Sequence, residues 1–279
     1  MVIYDFGANH GQNLRYFLSK AEKVVAVEAN PVLCDIIKGE FASELESGKL
    51  VLVNCCLSVD TEGEMVDFYV HTKKPGISQF GKPDEAELHN FKVIQCISKR
   101  PSSIIKENGT PYYVKIDLEF YDRFVLQELF ANNIVPELIS VEVHEKDVYD
   151  LLLNRPEYIS FNAVSGEKLT ELYPEFPSKK MGTFTLHCAG PFGSEIRSPW
   201  LTRPNVNKMF KEIGLGWYDL HASTKKMPYG EIDFNYYTNP ERALRAKIRM
   251  NSPLLFRFLK GVNWVRLKLT GKYKPTAKH

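Results

Sequence analysis

The first thirty residues constrain the fold more tightly than any later stretch. Ile3-Tyr4-Asp5-Phe6 is a short apolar run carrying one acid, and Gly7-Ala8-Asn9-His10-Gly11-Gln12-Asn13 follows as a glycine-bearing turn before an amphipathic segment. That order predicts a strand, a tight loop and a helix, the opening of a nucleotide- or cofactor-binding α/β unit. A second apolar run, Val24-Val25-Ala26-Val27, ends in Glu28, 17 positions after Gly11. Folds of this kind place a carboxylate at such a spacing to hold a pair of ribose hydroxyls.

The alternation continues through the first half of the chain. Strands are expected over 2–6, 24–28, 50–57, 112–117 and 138–143, and helices over 11–20, 32–45 and 121–132. Residues 64–70 suit a hairpin partner beyond the turn at Thr61-Glu62-Gly63, and 71–90 read as a loop. Strands alternating with helices imply an α/β fold, with a mostly parallel sheet and helices on both faces. After about residue 165 the pattern loosens and prolines punctuate it, with Thr183–Leu186 the candidate for a last strand. Three regions follow from this: a cofactor-binding domain over 1–190, an irregular Gly/Pro/Trp-rich elaboration over 191–240, and a tail over 241–279.

Composition narrows the classes. No apolar run is long enough to span a bilayer, and no charged-then-apolar leader precedes the first strand, which predicts a cytosolic protein. The five cysteines are odd in number and show no C-x-x-C spacing, which disfavours a disulfide framework or a structural zinc site. Charge is uneven. Residues 241–279 hold 11 Lys or Arg against one acid, Glu241, a net +10, whereas residues 1–240 hold 25 against 33, a net −8. From Pro253 onward, Leu254, Phe258, Val262, Val265 and Leu269 recur every three or four positions, the pattern of an amphipathic basic helix. Such a helix either packs on the body, lies on an anionic membrane surface through 253–274 at the inner face of a membrane, or holds an anionic acceptor or partner. An acidic body argues against nucleic acid.

The first loop is not a dinucleotide fingerprint, since Asn9 and Gln12 stand where G-x-G-x-x-G requires glycine. A P-loop is also absent from the sequence. A ligand with a ribose and no pyrophosphate fits better, and S-adenosylmethionine is one. Its amino-acid end needs room and polar partners, which Asp5, Gly7 and Gly11 supply, and Glu28 supplies the ribose carboxylate.

Asp5-Phe-Gly-Ala-Asn-His-Gly-Gln-Asn13, Val25-Ala-Val-Glu-Ala-Asn-Pro31, Val114-Lys-Ile-Asp-Leu-Glu119 and Ile139-Ser-Val-Glu-Val-His144 together resemble the FkbM-type methyltransferases. Asn54-Cys-Cys-Leu-Ser58, Glu62-Gly-Glu64 and Phe68-Tyr-Val70 match the family's middle, so the resemblance covers roughly residues 1–165. It implies the class I S-adenosylmethionine-dependent methyltransferase fold, Rossmann-like, here with a C-terminal elaboration. It implies also O-methylation of a hydroxyl on a sugar, glycan or other small molecule. By resemblance Asp5, Gly7, Asn9 and Gly11, with Ala8 and Asn13 of the same loop, line the methionine end. Glu28 takes the ribose, Ala29, Asn30 and Ser58 lie on the adenine side, and Asp117 faces the cofactor. One departure is Phe120, where the family usually has glycine, on the side from which acceptor approaches.

Ligands of open α/β sheets bind outside the carboxyl ends of the strands. Lys115, Asp117 and Glu119 alternate along one strand and share a face, as do Glu142 and His144 along the next. Methyl transfer to a hydroxyl needs the acceptor oxygen positioned and its proton removed, for which His144 or a carboxylate is the candidate base. The catalytic candidates are therefore Lys115, Asp117, Glu119, Glu142 and His144. A divalent cation held by Asp117, Glu119, Glu142 and His144 is the alternative way to activate the hydroxyl. His187 and His221 are weaker candidates, and Trp217-Tyr218 offers an aromatic platform for a sugar ring. Two rival functions stand beside O-methylation: N-methylation, and a non-catalytic cofactor-binding protein that acts through its basic tail.

Overall fold

Parallel strands need crossovers long enough to carry a helix, and this chain supplies them repeatedly. The computed structural model describes residues 1–177, 182–185 and 187–252. Strand β1 (Val2–Phe6) leads through α1 (Leu14–Lys20) to β2 (Lys23–Glu28), and α2 (Pro31–Glu40) and α3 (Ala42–Glu46) lead to β3 (Leu50–Asn54). Asn30 caps α2 by accepting from the Val32 N–H at 3.0 Å, with Pro31 in the first turn. Short β4 (Cys56–Leu57), β5 (Met65–His71) and β6 (Phe91–Lys99) form a separate three-stranded sheet in the order β4-β6-β5. The chain then runs through α4 (Pro101–Asn108), β7 (Tyr113–Ile116), α5 (Asp122–Ala131), β8 (Leu138–Glu142), α6 (Lys146–Asn154) and β9 (Ser160–Ser165). It continues through α7 (Leu169–Leu172), α8 (Arg203–Ile213), β10 (Tyr218–Ser223) and α9 (Pro240–Asn251).

The main sheet has seven strands in the order β3-β2-β1-β7-β8-β10-β9. Strands β3, β2, β1, β7 and β8 pair in parallel, and β10 inserts antiparallel between β8 and β9. This is the mostly parallel α/β sheet that the sequence predicts. Chain direction across the sheet reverses between β1 and β7, which opens the ligand crevice at their carboxyl ends.

The two faces differ in chemistry. One is apolar throughout, with Phe6, Val25, Ile116, Val141, Ala163 and Leu220 in a single buried cluster. The other begins apolar under α1, where Ile3, Val24 and Ala26 meet Tyr16, Phe17, Phe176 and Phe192. Toward β7 and beyond it turns polar, because alternation sends Lys115, Ser140, Asp219, His221 and Asn162 to that side, all buried.

Several expectations are corrected. The 64–70 strand pairs with 91–99, from Met65 opposite Ile97 to His71 opposite Phe91, rather than with 50–57. The 50–57 run is split at Cys55, where the Asn54 amide donates to the carbonyls of Glu28 and Ala29 and the chain leaves the main sheet. The 32–45 helix is two helices meeting at Phe41. Of the candidate strand over 183–186, residues 183–185 are not a strand and Leu186 lies outside the described residues; among those described the last strand is β10. Leu220 and Ala222 of β10 face the apolar cluster while Asp219 and His221 face the polar interior, so the strand does not read as an apolar run. Segment 191–240 thus contributes α8 and a central strand, and the sheet-bearing unit does not stop at 190. The amphipathic run from Pro253, with its membrane reading over 253–274, lies outside the described residues. Among those described, no helix is long and apolar enough to cross a membrane.

If β10 is core, Leu220→Ala, at a fully buried position, lowers unfolding free energy by about 2–5 kcal/mol in urea titration. A change within about 0.5 kcal/mol would mark the strand as peripheral.

Candidate active site

The first loop is shaped by contact with its neighbours. Gly7 has φ +84°, and a Cβ there would overlap the Asp117 carbonyl oxygen, so only glycine lets the loop lie on the end of β7. The N–H groups of Gly7 and Ala8 donate to the Val27 carbonyl at 3.1 and 2.9 Å, fastening the loop to β2 as well. Asn9 follows with φ +51°, a left-handed conformation that asparagine tolerates, and its N–H donates to Glu28 Oε2 at 2.8 Å. The Asn30 N–H donates to Glu28 Oε1 at 2.8 Å. Both carboxylate oxygens are therefore aimed by backbone donors. Burial pushes the Glu28 carboxyl up to about 7 against those donors, which favour the ionised form.

Glu28 forms part of a cavity at the carboxyl ends of β1, β2 and β7. Gly7, Asn9, Ala29, Asp117 and Glu119 line its polar side, and Leu33, Leu57, Phe68, Phe80 and Tyr121 its apolar side. A carboxylate for ribose, an apolar slot for a purine and a glycine loop beside Asp117 fit S-adenosylmethionine. Of the residues predicted for the cofactor, Gly7, Asn9, Glu28, Ala29 and Asp117 line this cavity. The others lie behind or beside it. Asp5 is fully buried against Lys115, and Ala8 is buried in the apolar cluster under α1. Gly11 faces Leu14, Ile37 and Phe41, and Asn13 accepts from the Ala189 N–H. Asn30 caps α2, and the Ser58 hydroxyl accepts from the N–H groups of Asp60 and Thr61. Leu57 and Phe68 of the lining belong to the strand end and hairpin that carry the resemblance, whereas Leu33, Pro75, Gly76, Phe80 and Tyr121 stand in no motif.

Lys115 is buried beneath the crevice. Its Nζ lies 2.9 Å from the Gly7 carbonyl oxygen, 3.3 Å from Asp5 and 3.2 Å from Asp117. Burial alone would lower its pKa, but the Asp117 and Asp5 carboxylates hold it well above the ordinary lysine value. The ammonium is enclosed, and its contacts are with Asp5, Asp117 and the Gly7 carbonyl. Lys115 thus ties the end of β1, the first loop and the end of β7 together beneath the crevice.

The acceptor side is built from the ends of β7 and β8. Asp117, Glu119 and Glu142 each bring a carboxylate oxygen within 4.8 Å of the other two. His144 Nε2 lies 2.8 Å from Glu142 Oε1, with the imidazole half exposed. The hydrogen bond to Glu142 raises the His144 pKa against the effect of burial. Burial, then Asp117 and Glu142, push Glu119 up to about 8. Glu119 and Phe120 both have left-handed backbone, φ +47° and +70°, and the Phe120 ring is exposed. The resemblance places glycine at 120, and the backbone shows why: the turn asks for a positive φ that a phenylalanine adopts only under strain.

Other candidates separate. His221 is buried, its ring stacked 6.4 Å from Tyr113, and burial pulls it down to about 3. It is a neutral core histidine opposite Ser140, two positions inside Glu142. Tyr218 donates its hydroxyl to the Tyr237 carbonyl at 2.9 Å and so serves packing rather than an acceptor platform. Trp217 precedes β10 at the carboxyl edge, its ring 5.3 Å from His187.

No family model and no curated protein matches the chain. Solved structures of similar shape include the methyltransferase FkbM of Methylobacillus flagellatus KT, at 12% identity and TM-score 0.37, covering 57% of this chain and 38% of that one. A Pyrococcus horikoshii protein described as an RNA methyltransferase matches at 13% and 0.32, covering 58% and 62%. A dimethyladenosine transferase of Plasmodium falciparum matches at 10% and 0.35, covering 100% and 77%. The chain thus spans less than two thirds of the first two proteins. The fold assignment rests on the strand order and not on these likenesses.

Lys115→Met strands the buried Asp5 carboxylate and is expected to cost about 3–5 kcal/mol in denaturant unfolding. Phe120→Gly releases the left-handed strain and is expected to gain about 1 kcal/mol in the same measurement. A loss on Phe120→Gly would mean that the ring packs rather than strains.

Proposed function

We propose that this chain is an S-adenosylmethionine-dependent O-methyltransferase of FkbM type, acting on a hydroxyl of a sugar or glycan. One observation carries the reading: Asp117 and Glu119, which line the cavity that contains Glu28, each bring a carboxylate oxygen within 4.8 Å of one on Glu142, the partner of His144. A place for ribose and a candidate base therefore share one crevice. When bound, the cofactor supplies a methyl group activated on a sulfonium. Glu28 accepts from the ribose hydroxyls, and the Leu33, Leu57 and Phe68 side chains hold the purine. Glu142 takes the Nε2–H of His144, which leaves Nδ1 as the free acceptor for the proton of the substrate hydroxyl. The exposed Phe120 ring beside Glu119 offers a face for a sugar, with the carboxylates accepting from its hydroxyls. The net −8 of residues 1–240 supports a small-molecule or glycan acceptor over nucleic acid. An amine acceptor is the second reading, favoured by the three carboxylates at the crevice.

Calorimetry with S-adenosylhomocysteine tests the first half. Wild-type protein is expected to bind it, and Glu28→Gln to weaken binding by about 1.5–3 kcal/mol, roughly tenfold or more. No binding up to about 1 mM, some 4 kcal/mol of affinity, would remove the methyltransferase reading. An acceptor screen of glycans, sugar nucleotides and amines tests the second half, and methylation confined to amines would replace O- by N-methylation. His144→Ala is expected to lower turnover by about 10²–10⁴ with cofactor affinity unchanged. Since His144 acts unprotonated and its pKa is raised by Glu142, kcat/KM should rise with pH through an inflection above 6.5. Glu142→Gln should move that inflection down.

A further inference from the structure

We infer that a groove between Phe120 and the 71–91 segment is the acceptor subsite, and that it takes an uncharged sugar ring rather than a sugar phosphate or sugar nucleotide. The groove encloses about 480 Å³, within the roughly 300–1,000 Å³ of small-molecule sites. Glu119 lines both this groove and the cofactor cavity. The chain between β5 and β6 is the partition between them. Gly76, Ser78 and Phe80 line the cofactor side, and Ile77, Gln79 and Lys82 line the groove. Hydrogen bonds fasten the partition to β5. The Gln79 N–H donates to the Tyr69 carbonyl at 3.0 Å, the Tyr69 N–H returns a bond of 2.9 Å, and the His71 N–H donates to Ser78 Oγ at 3.1 Å.

Two unfavourable features coincide at Phe120, which lines the groove. The residue is 58% exposed, and its φ is +70°. Glycine would relieve both, so neither serves the fold, and strain of this kind gathers at binding edges. With Ile77 and Phe91 it gives the groove an apolar side that suits the C–H face of a pyranose. The polar side suits the hydroxyls. Asp84, Glu87 and Glu119 line it as acceptors. His71 also lines the groove, and its Nδ1 accepts from the Lys73 and Lys74 N–H groups at 3.1 and 3.0 Å, which leaves Nε2 as the ring's donor. Charge then selects among sugars. Three carboxylates stand in the lining against one ammonium, Lys82, and oxygens of Asp117 and Glu142 lie within 4.8 Å of one on Glu119. A phosphate on the sugar would meet like charge there. The groove's use as an acceptor subsite rests on the methyl-transfer reading, whereas its affinity for a glycoside does not.

Saturation-transfer NMR on the full chain tests the groove without turnover. The probes are the methyl glycosides of glucose, galactose, mannose, rhamnose, fucose and N-acetylglucosamine, and the phosphates of the first three sugars, each with and without S-adenosylhomocysteine. At least one glycoside is expected to bind, and its phosphorylated counterpart about tenfold or more weakly. Phe120→Gly should weaken glycoside binding about threefold to tenfold and leave S-adenosylhomocysteine binding unchanged, with circular dichroism reporting the fold. Asp84→Asn combined with Glu87→Gln should narrow the gap between glycoside and phosphate. Asp147→Asn, on the surface of α6 against Arg123, should change neither. No glycoside binding up to about 10 mM, a weak affinity for any specific site, would overturn the inference. So would full retention by folded Phe120→Gly, or phosphates that bind as tightly as glycosides. S-adenosylhomocysteine binding without glycoside binding would refute the groove alone. Glycoside binding that Phe120→Gly weakens, with no S-adenosylhomocysteine binding, would refute the methyltransferase reading alone.

Discussion

One buried ammonium organises this crevice. Lys115 sits on β7 opposite Asp5 of β1, and its Nζ is shared among Asp5, Asp117 and the Gly7 carbonyl. The end of β1, the first loop and the end of β7 are thereby drawn to a single point. A buried ion pair is seldom more stabilising than an apolar pair of the same volume, so its value here lies in placement. With Gly7 pressed on the Asp117 carbonyl, the loop that shapes the cofactor cavity and the residue that opens the acceptor side move together. Glu28 is the second anchor, and its two backbone donors, from Asn9 and Asn30, set the carboxylate by the same loop and by the start of α2.

What was legible in the sequence is what local pattern encodes. The β1 loop, Glu28 at the end of β2, and the alternation of Lys115, Asp117 and Glu119 depend on neighbours within a few residues, and each falls at the carboxyl edge as expected. Other residues of the same motifs also hold the fold. Asp5, Gly11, Asn13, Asn30 and Ser58 were assigned to the cofactor because they stand in the motif, yet each is engaged in folding the motif: an ion pair, a close approach to Phe41, a bond to the Ala189 N–H, a helix cap, a turn. Sequence spacing does not separate a residue that touches a ligand from one that holds the loop around it. Strand β6 escaped because only Cys96 and Ser98 of its nine residues are buried, as an outlying sheet permits.

Strand β10 shows why the acceptor half was harder to read. A parallel strand delivers its last residues to the ligand edge, so motifs are sought where strands end. An antiparallel strand delivers its first residues instead. Because β10 runs against β8, Asp219 near its start meets Glu142 near the end of β8, while His221 is carried inward to Ser140. In sequence the histidine is the more conspicuous residue of the two. In the fold, burial keeps it neutral and removed from the crevice, and the aspartate two positions earlier is the group that faces the other carboxylates. The same reversal sets Trp217, just before the strand, at the carboxyl edge beside His187. Strand direction, which the local pattern of Tyr218–Ser223 does not reveal, thus decides which of its polar residues lie toward the crevice and which toward the core.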